Sequence, residues 1–372
     1  MKKTWNKLAF DEAVTESSKG NRKTNTDEYL KEGKYPIVDQ GESLICGYTD
    51  DPDRLCKSPV PTIVFGDHTR RFKYIDFPFC IGADGTKVLT SKPDIDTKYL
   101  YHYMRTLRIP NAGYSRHFKF LRRHDIYFPV LDEQRRIAAV LDQADALRTQ
   151  RREALTQLDE LTQSIFLDMF GNPLFNRKSW PTLSFRECGQ VTTGATPPRD
   201  SKEAFGQHIE WLKPDNIIDD LEHPTESKEG LSELGVQFSK VAPPGALLIV
   251  CIAGSPNSIG RAALLDRKAA YNQQINALIP RKGNPRFLYH QIVAGKRLIQ
   301  SQSSGGMKGI VSKSRLEQVR LMYPPEKLQE EFARRIESVE RMKQQHRAHL
   351  ARLDELFASL QDRAFRGDLV RS

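Results

Sequence analysis

PVLDEQRRIAAVLDQADALRTQRREALTQLDELTQSIFLDMF, residues 129–170, has no glycine and no proline after Pro129. Good helix formers fill it, so it reads as one unbroken helix. Ile137, Leu141, Ala144, Leu155, Leu158 and Ile165 recur at three- and four-residue steps and share one stripe. At 1.5 Å per residue such a helix is roughly 63 Å long, far beyond the average globular helix. A mid-chain rod of this length is expected to hold two things apart.

The stretch also has a copy. Pro129, Gln134, Ala138, Gln150, Leu155, Leu158-Asp159-Glu160-Leu161, Ser164 and Phe170 match Pro324, Gln329, Ala333, Gln345, Leu350, Leu353-Asp354-Glu355-Leu356, Ser359 and Phe365 at a constant offset of 195. Upstream, WNKLAFDE (Trp5–Glu12) is echoed by WPTLSFRE (Trp180–Glu187), and Leu100-Tyr101-His102 by Leu288-Tyr289-His290. These matches predict a duplication with four parts: a block over 1–128, a helix over 129–170, a second block over 171–322 and a second helix over 323–372.

The second helix carries its own stripe of Phe332, Ile336, Val339, Leu350, Leu353 and Leu360. Arg148 and Arg151 interrupt the first stripe near its middle, and Lys343 and His346 interrupt the second at the same two steps. Two arrangements suit this pattern. Either the polar residues face inward and set the register of a helix pair, or the stripes shift to Leu147 and Met342 while the basic side chains reach solvent. Two stripes of equal length can bury each other, and pseudo-equivalent blocks require the helices to run antiparallel about a local two-fold. The expected fold class is α+β: two pseudo-repeated mixed α/β domains joined by two long helices in an antiparallel coiled coil.

The 372 residues suffice for two or three domains. A mean hydropathy of −0.57 and the lack of an 18-residue apolar run argue against a membrane span. Met1–Ala13 has three lysines, two of them at its start, but no apolar core behind them, so no secretory signal is expected. The five cysteines form no CxxC pair, which argues against zinc or a disulfide framework and for a reducing cytoplasm. The net charge of +10 divides as +5 over 1–128, −3 over 129–170, +7 over 171–322 and +1 over 323–372. Positive charge confined to the two blocks suits a polyanion partner. Within the first block, Tyr35–Gly41 and Pro61–Arg71 read as strands running into turns. Phe77–Thr90 reads as a hairpin through Asp84-Gly85, and Thr97–Ile109 as a helix.

Catalytic constellations are missing. Adenine methylation needs a glycine-rich cofactor loop and an Asp/Asn-Pro-Pro-Tyr/Phe loop, and Asn172-Pro173-Leu174-Phe175 lacks the second proline. A metal-dependent nuclease needs carboxylates and a lysine on adjacent strands. Asp94, Asp96 and Lys98 instead crowd into one loop before a helix, where an Asp is expected as a cap. No Walker A loop or H-x-x-x-H pair occurs. No metal or other catalytic cofactor is therefore expected on this chain.

Polar, basic loops are present instead. His68, Thr69, Arg70, Arg71 and Lys73 follow a strand, and Ser115, Arg116, His117 and Lys119 form a second loop. The second block offers Thr196, Arg199, Lys213, Asn257, Ser258, Arg261, Asn272, Gln273 and Lys308. Arg and Lys suit guanine edges and phosphates, and Asn and Gln suit adenine. Each loop alone could be a solvated surface. Their recurrence in two blocks favours double-stranded DNA as the partner.

The order of motifs resembles the DNA-specificity subunit of type I restriction–modification systems. In the second block the resemblance lies in VTTGATPPR (Val191–Arg199), HIEWLKPDNI (His208–Ile217), PPGALLIV (Pro243–Val250), SIGRAAL (Ser258–Leu264) and YNQQINALIP (Tyr271–Pro280). In the first block it lies in YPIVDQG, ICGYTD (Ile45–Asp50), IVFGDHTR and GADGTKVL. YFPVLDEQRRI and the LDEL pair resemble the family's helical regions. Pro325-Glu326-Lys327-Leu328-Gln329 departs from the P-x-x-x-E-Q start seen at Pro129.

The resemblance implies two target-recognition domains, each reading half of a split asymmetric site. It implies a helix pair that fixes the spacing and docks two modification (methyltransferase) subunits. S-adenosylmethionine, ATP and Mg would sit on partner subunits, with restriction/translocase subunits completing a bacterial defence complex. The chain itself would be non-catalytic. The alternative reading is a standalone duplicated DNA-binding scaffold that never meets a methyltransferase.

Overall fold

The computed structural model describes residues 5–113, 115–198, 200–219, 221–304 and 309–369. The chain divides into two compact units, residues 1–152 with 348–372, and residues 153–347. Both long helices form, at Leu131–Phe170 and Glu326–Arg366, and each contributes one half to either unit.

In unit 1, Val14–Glu16, Thr86–Ser91, Thr62–Gly66 and Phe72–Ile75 make an antiparallel four-stranded sheet in that order. Gly47–Thr49, Tyr35–Val38 and Cys80–Ile81 form a second sheet, whose last pairing is parallel. Asn6–Ala9 pairs with Asp125–Phe128, the strand that leads into the central helix. The hairpin expected over Phe77–Thr90 does not form. Cys80–Ile81 and Thr86–Ser91 join different sheets, and the chain turns between them at Gly85 with φ +87°. Val38, Val64, Ile81 and Val88 meet in one buried cluster, which rewards that crossing over local pairing.

Unit 2 repeats this plan. Gly189–Thr193, Ile275–Pro280, Leu247–Val250 and Ala262–Leu264 form the matching antiparallel sheet. Phe205–Leu212 pairs in parallel with Ala269–Tyr271, as Tyr35–Val38 does with Cys80–Ile81. Thr182–Ser184 pairs with Arg320–Met322 ahead of the C-terminal helix.

A short helix in each unit connects the sheets to the long helices. The Thr97–Met104 helix is capped by Asp96, whose carboxylate accepts from Tyr99 N at 2.9 Å. The Pro285–Ala294 helix is capped by Asn284, which accepts from Arg286 N and Phe287 N. The acid before Thr97 is thus a helix cap. Each short helix buries its apolar face with the ends of the long helices: Tyr99 and Leu100 with Ile137, Leu141 and Phe357 in unit 1, and Phe287 with Phe166, Phe170 and Phe332 in unit 2. Burying a side chain of this size contributes roughly 1.5–3 kcal/mol.

Candidate nucleic-acid interface

The first-block loop hangs from the end of strand Thr62–Gly66. A side chain on Gly66 would lie 2.1 Å from Thr69 Oγ1, so the turn requires glycine. Thr69 Oγ1 donates to Gln40 O at 2.7 Å, and His68 N donates to Gln40 Oε1 at 3.1 Å. Arg70 sits at φ +59°, a left-handed conformation that L residues seldom adopt. Its Nη1 donates to Ile109 O at 3.2 Å, and Arg71 pairs with Glu42 at 3.4 Å. Thr69, Arg70, Arg71, Arg105 and Ile109 line a cleft of about 550 Å³.

Buried Asp67 fastens the second loop to the first. Its carboxylate accepts from Phe118 N at 2.7 Å, and its carbonyl accepts from His117 N at 2.8 Å. Two sequence candidates are engaged inside the unit. The His117 ring is fully buried, with Nδ1 2.9 Å from Asp67 O. Lys73 is buried, donating to Ser43 O at 2.6 Å and lying 3.6 Å from Asp39. Burial pulls its pKa below the usual lysine value. Thr69, Arg71, Arg116 and Lys119 are exposed, His68, Arg70 and Ser115 partly so.

In unit 2 the candidates divide into two groups. Thr196 Oγ1 bonds Gln273 Oε1. Lys213 Nζ lies 4.8 Å over the Trp211 ring, whose Nε1 donates to Ala195 O at 3.2 Å. Thr196, Gln273, Lys213 and Trp211 are therefore neighbours. Lys213 also pairs with Glu229. Asn272 is buried and builds its own turn, accepting from Gln274 N at 3.0 Å. Elsewhere, Arg261 is held by Asp219 at 3.1 Å, and the Pro256–Ser258 turn leaves Asn257 exposed and Ser258 partly so. Arg199 and Lys308 lie outside the described residues.

Sequence reasoning overlooked Gln40 and Arg105, and placed Asp67 in the loop without its anchoring role. Their roles depend on contacts to segments far along the chain, although Gln40 stands within the YPIVDQG motif.

The helix seam follows the inward arrangement of the polar interruptions. Arg148 Nε donates to Asp354 Oδ1 at 2.6 Å and Arg148 Nη1 to Asp145 Oδ1 at 2.7 Å, with the Arg148 side chain 14% exposed. In unit 2, Lys343 Nζ meets Asp159 at 2.8 Å and Glu340 at 2.7 Å, with its side chain 6% exposed. Asp159 and Asp354 are the aspartates of the two LDEL motifs, so the repeat makes the same ion pair twice. Leu147 and Met342 are exposed, at 44% and 41%, so the stripes do not shift to them. In unit 2, contacts run from Asp159–Lys343 to Phe166–Phe332, which makes the segments antiparallel.

Ile137, Leu141, Ala144, Phe332, Ile336 and Val339 are buried. Leu155, Leu158, Ile165, Leu350, Leu353 and Leu360 are only partly covered. Gln134 and Gln329 are fully buried. Gln134 Nε2 donates to Pro129 O and Asp94 O, and its Oε1 accepts from Asp96 N at 2.8 Å. Gln329 Nε2 donates to Pro324 O at 2.7 Å, and its Oε1 accepts from Asn284 N at 2.9 Å. The departure at Pro325–Gln329 thus retains the glutamine contacts.

No group of three or more His, Cys, Asp or Glu residues fit to hold a metal occurs among the described residues. Among them, no helix is long and apolar enough to cross a membrane.

The model of the type I restriction modification DNA specificity domain matches residues 3–157 and again 177–353. The chain is similar to the EcoR124I/EcoR124II specificity subunit of Escherichia coli, at 25% identity over 308 residues, 78% of this chain and 75% of that one. It is also similar to the HindI specificity subunit of Haemophilus influenzae, at 22% identity over 201 residues, 52% of this chain and 42% of the relative. The fold is like that of the type I restriction-modification S subunit from M. genitalium (TM-score 0.60, 15% identity, 97% and 96% of the two chains). A chain from a type I R-M system solved to explain complex assembly gives a TM-score of 0.51 at 17% identity, covering 98% of each.

Proposed function

Since this chain belongs to the type I restriction modification DNA specificity family, we propose that its two units read the two halves of a split, asymmetric double-stranded DNA site. It is a non-catalytic specificity subunit in this reading, supported by relatives that are named specificity subunits. The observation that carries the reading is the contrast between a shared frame and unlike loops. The two units repeat the same sheet and helix seam, down to the LDEL ion pair, yet their polar loops differ in sequence and anchoring. A homodimer presents identical readers and suits a palindrome. Two unlike readers on one polypeptide suit an asymmetric site.

In this reading Arg70, Arg71, Arg116 and Lys119 contact DNA from unit 1, and Thr196, Lys213 and Gln273 from unit 2. The helix pair sets the spacer and docks two methyltransferase subunits, to which restriction/translocase subunits add. The partners bring S-adenosylmethionine, ATP and Mg.

Mapping methylated adenines in cells that express the full complex tests the proposal. Arg70→Ala is expected to relax one half-site only, and a uniform loss across sequences would make Arg70 a phosphate contact instead. Deleting one heptad from each long helix is expected to change the preferred spacer. An unchanged spacer would remove the helices from that role. Failure of the chain to co-purify with a methyltransferase would refute the docking.

A further inference from the structure

Gln40 stands just beyond strand Tyr35–Val38, and its side-chain amide joins two separate segments of unit 1. Its Oε1 accepts from His68 N at 3.1 Å, and its Nε2 donates to Asp84 O at 2.9 Å. A main-chain N–H on one side and a carbonyl on the other fix which end of the amide faces which. The main-chain carbonyl of Gln40 also accepts from Thr69 Oγ1 at 2.7 Å. Gln40 thus holds both residues that precede the left-handed Arg70. Asp67 closes the arrangement, donating from its N to Gly85 O at 2.7 Å while it anchors His117 and Phe118. The fit is close, because a side chain on Gly85 would lie 2.8 Å from both Gln40 Oε1 and His68 Cδ2.

The bridge is not part of the frame that the two units share. Val38 and Leu212 are matched positions, each ending a strand that is paired in parallel. Val38 O accepts from Gly82 N at 2.9 Å, and Leu212 O accepts from Asn272 N at 3.0 Å. Two residues further on, unit 1 has Gln40 and unit 2 has Pro214, whose side chain neither donates nor accepts. Unit 2 fastens its turn from the opposite strand instead, through the bonds of Asn272 to Gln274. Gln40 therefore belongs to what distinguishes the units.

We infer that Gln40 is the positioning residue of the unit 1 reader, holding the His68–Arg71 loop and the Asp84–Gly85 turn as one preformed surface for a DNA half-site. The inference rests on the reading of unit 1 as a DNA-binding unit. A bridged loop gives up less freedom on binding than a loose one, and base readout needs donors held in place before contact. Gln40 suits that role better than a part in holding the fold. It is partly exposed, and its side-chain bonds end on loop backbone. The sheet pairs Ile37–Cys80 and Val38–Ile81 do not pass through its side chain. Gln40 acts through the loop, and the arginines beyond it reach the DNA.

Methylation mapping in cells that express the full complex, together with thermal unfolding of each purified chain, tests this. Arg70→Ala first identifies the half-site that unit 1 reads. Gln40→Met keeps the side-chain length and removes both amide bonds. It is expected to cut discrimination in that same half-site roughly tenfold and to leave the other half-site unchanged. Its Tm should fall by no more than about 4 °C. Gln40→Asn, whose amide is too short to span both partners, should relax the same half-site, so the result does not depend on one variant. Loss in both half-sites together with a large fall in Tm would make Gln40 a purely structural residue and overturn the inference. An unchanged motif in Gln40→Met beside a relaxed half-site in Arg70→Ala would overturn it and leave the DNA reading intact. An unchanged motif in both variants would overturn both.

Discussion

Removing the carboxylate of Asp354 is expected to destabilise unit 1 more than removing the guanidinium it binds. Arg148 is largely enclosed, while Asp354 keeps 43% of its side chain exposed. Asp354→Ala therefore leaves a mostly buried cation with Asp145 as its remaining partner in the seam. An uncompensated buried charge costs about 3–5 kcal/mol. The retained Asp145 contact and the solvent around Asp354 reduce this to about 1–2 kcal/mol. Arg148→Met removes the buried charge, fills much of its volume and leaves Asp354 with Arg152 and water, so it should cost less than about 1 kcal/mol. Lys343 follows the same logic with Asp159 and Glu340. Asp159→Ala should cost about 1–2 kcal/mol, and the two alanine variants should add to about 2–4 kcal/mol because they share no partner. Urea unfolding at low and high salt measures all of these, with the differences smaller at high salt. An Asp354→Ala chain within about 0.3 kcal/mol of wild type, or an Arg148→Met chain equally damaged, would refute the reasoning.

Three further outcomes are expected. Gln134→Leu strands the Asp96 amide and two carbonyls and should cost about 2–4 kcal/mol in urea unfolding, more than Gln329→Leu, which gives up one bond fewer. His290 has its pKa pushed down to about 3, by burial first and then by the Lys343 and Arg286 charges. Its proton binds more readily to the unfolded chain, so its contribution to stability is complete above about pH 6.5 and is lost as pH falls toward that depressed value. Thermal unfolding should show this acid sensitivity, and His290→Gln should flatten it; parallel pH profiles would exclude His290 as the cause. Lys73→Met gives up the Ser43 bond and should cost about 1–2 kcal/mol while leaving DNA preference unchanged. A changed half-site in methylation mapping would return Lys73 to the reading surface.

The sequence alone determined the architecture because its signals are periodic and local. An unbroken helical stripe, its copy at a constant offset, and the capping aspartate before Thr97 are properties of neighbouring residues, legible without contacts. The polar interruptions were equally visible, but sequence left two arrangements open for them. Only the tertiary structure selected one, since the cross-seam partners of Arg148 and Lys343, Asp354 and Asp159, lie 206 and 184 residues away along the chain. The same distance in sequence hid the split of Phe77–Thr90 between two sheets, the anchoring of one polar loop to another by Asp67, and the withdrawal of Lys73 and His117 into the interior. A side chain's type states which bonds it can make. Which of them it makes depends on burial, and burial is set by segments that meet only in the folded chain.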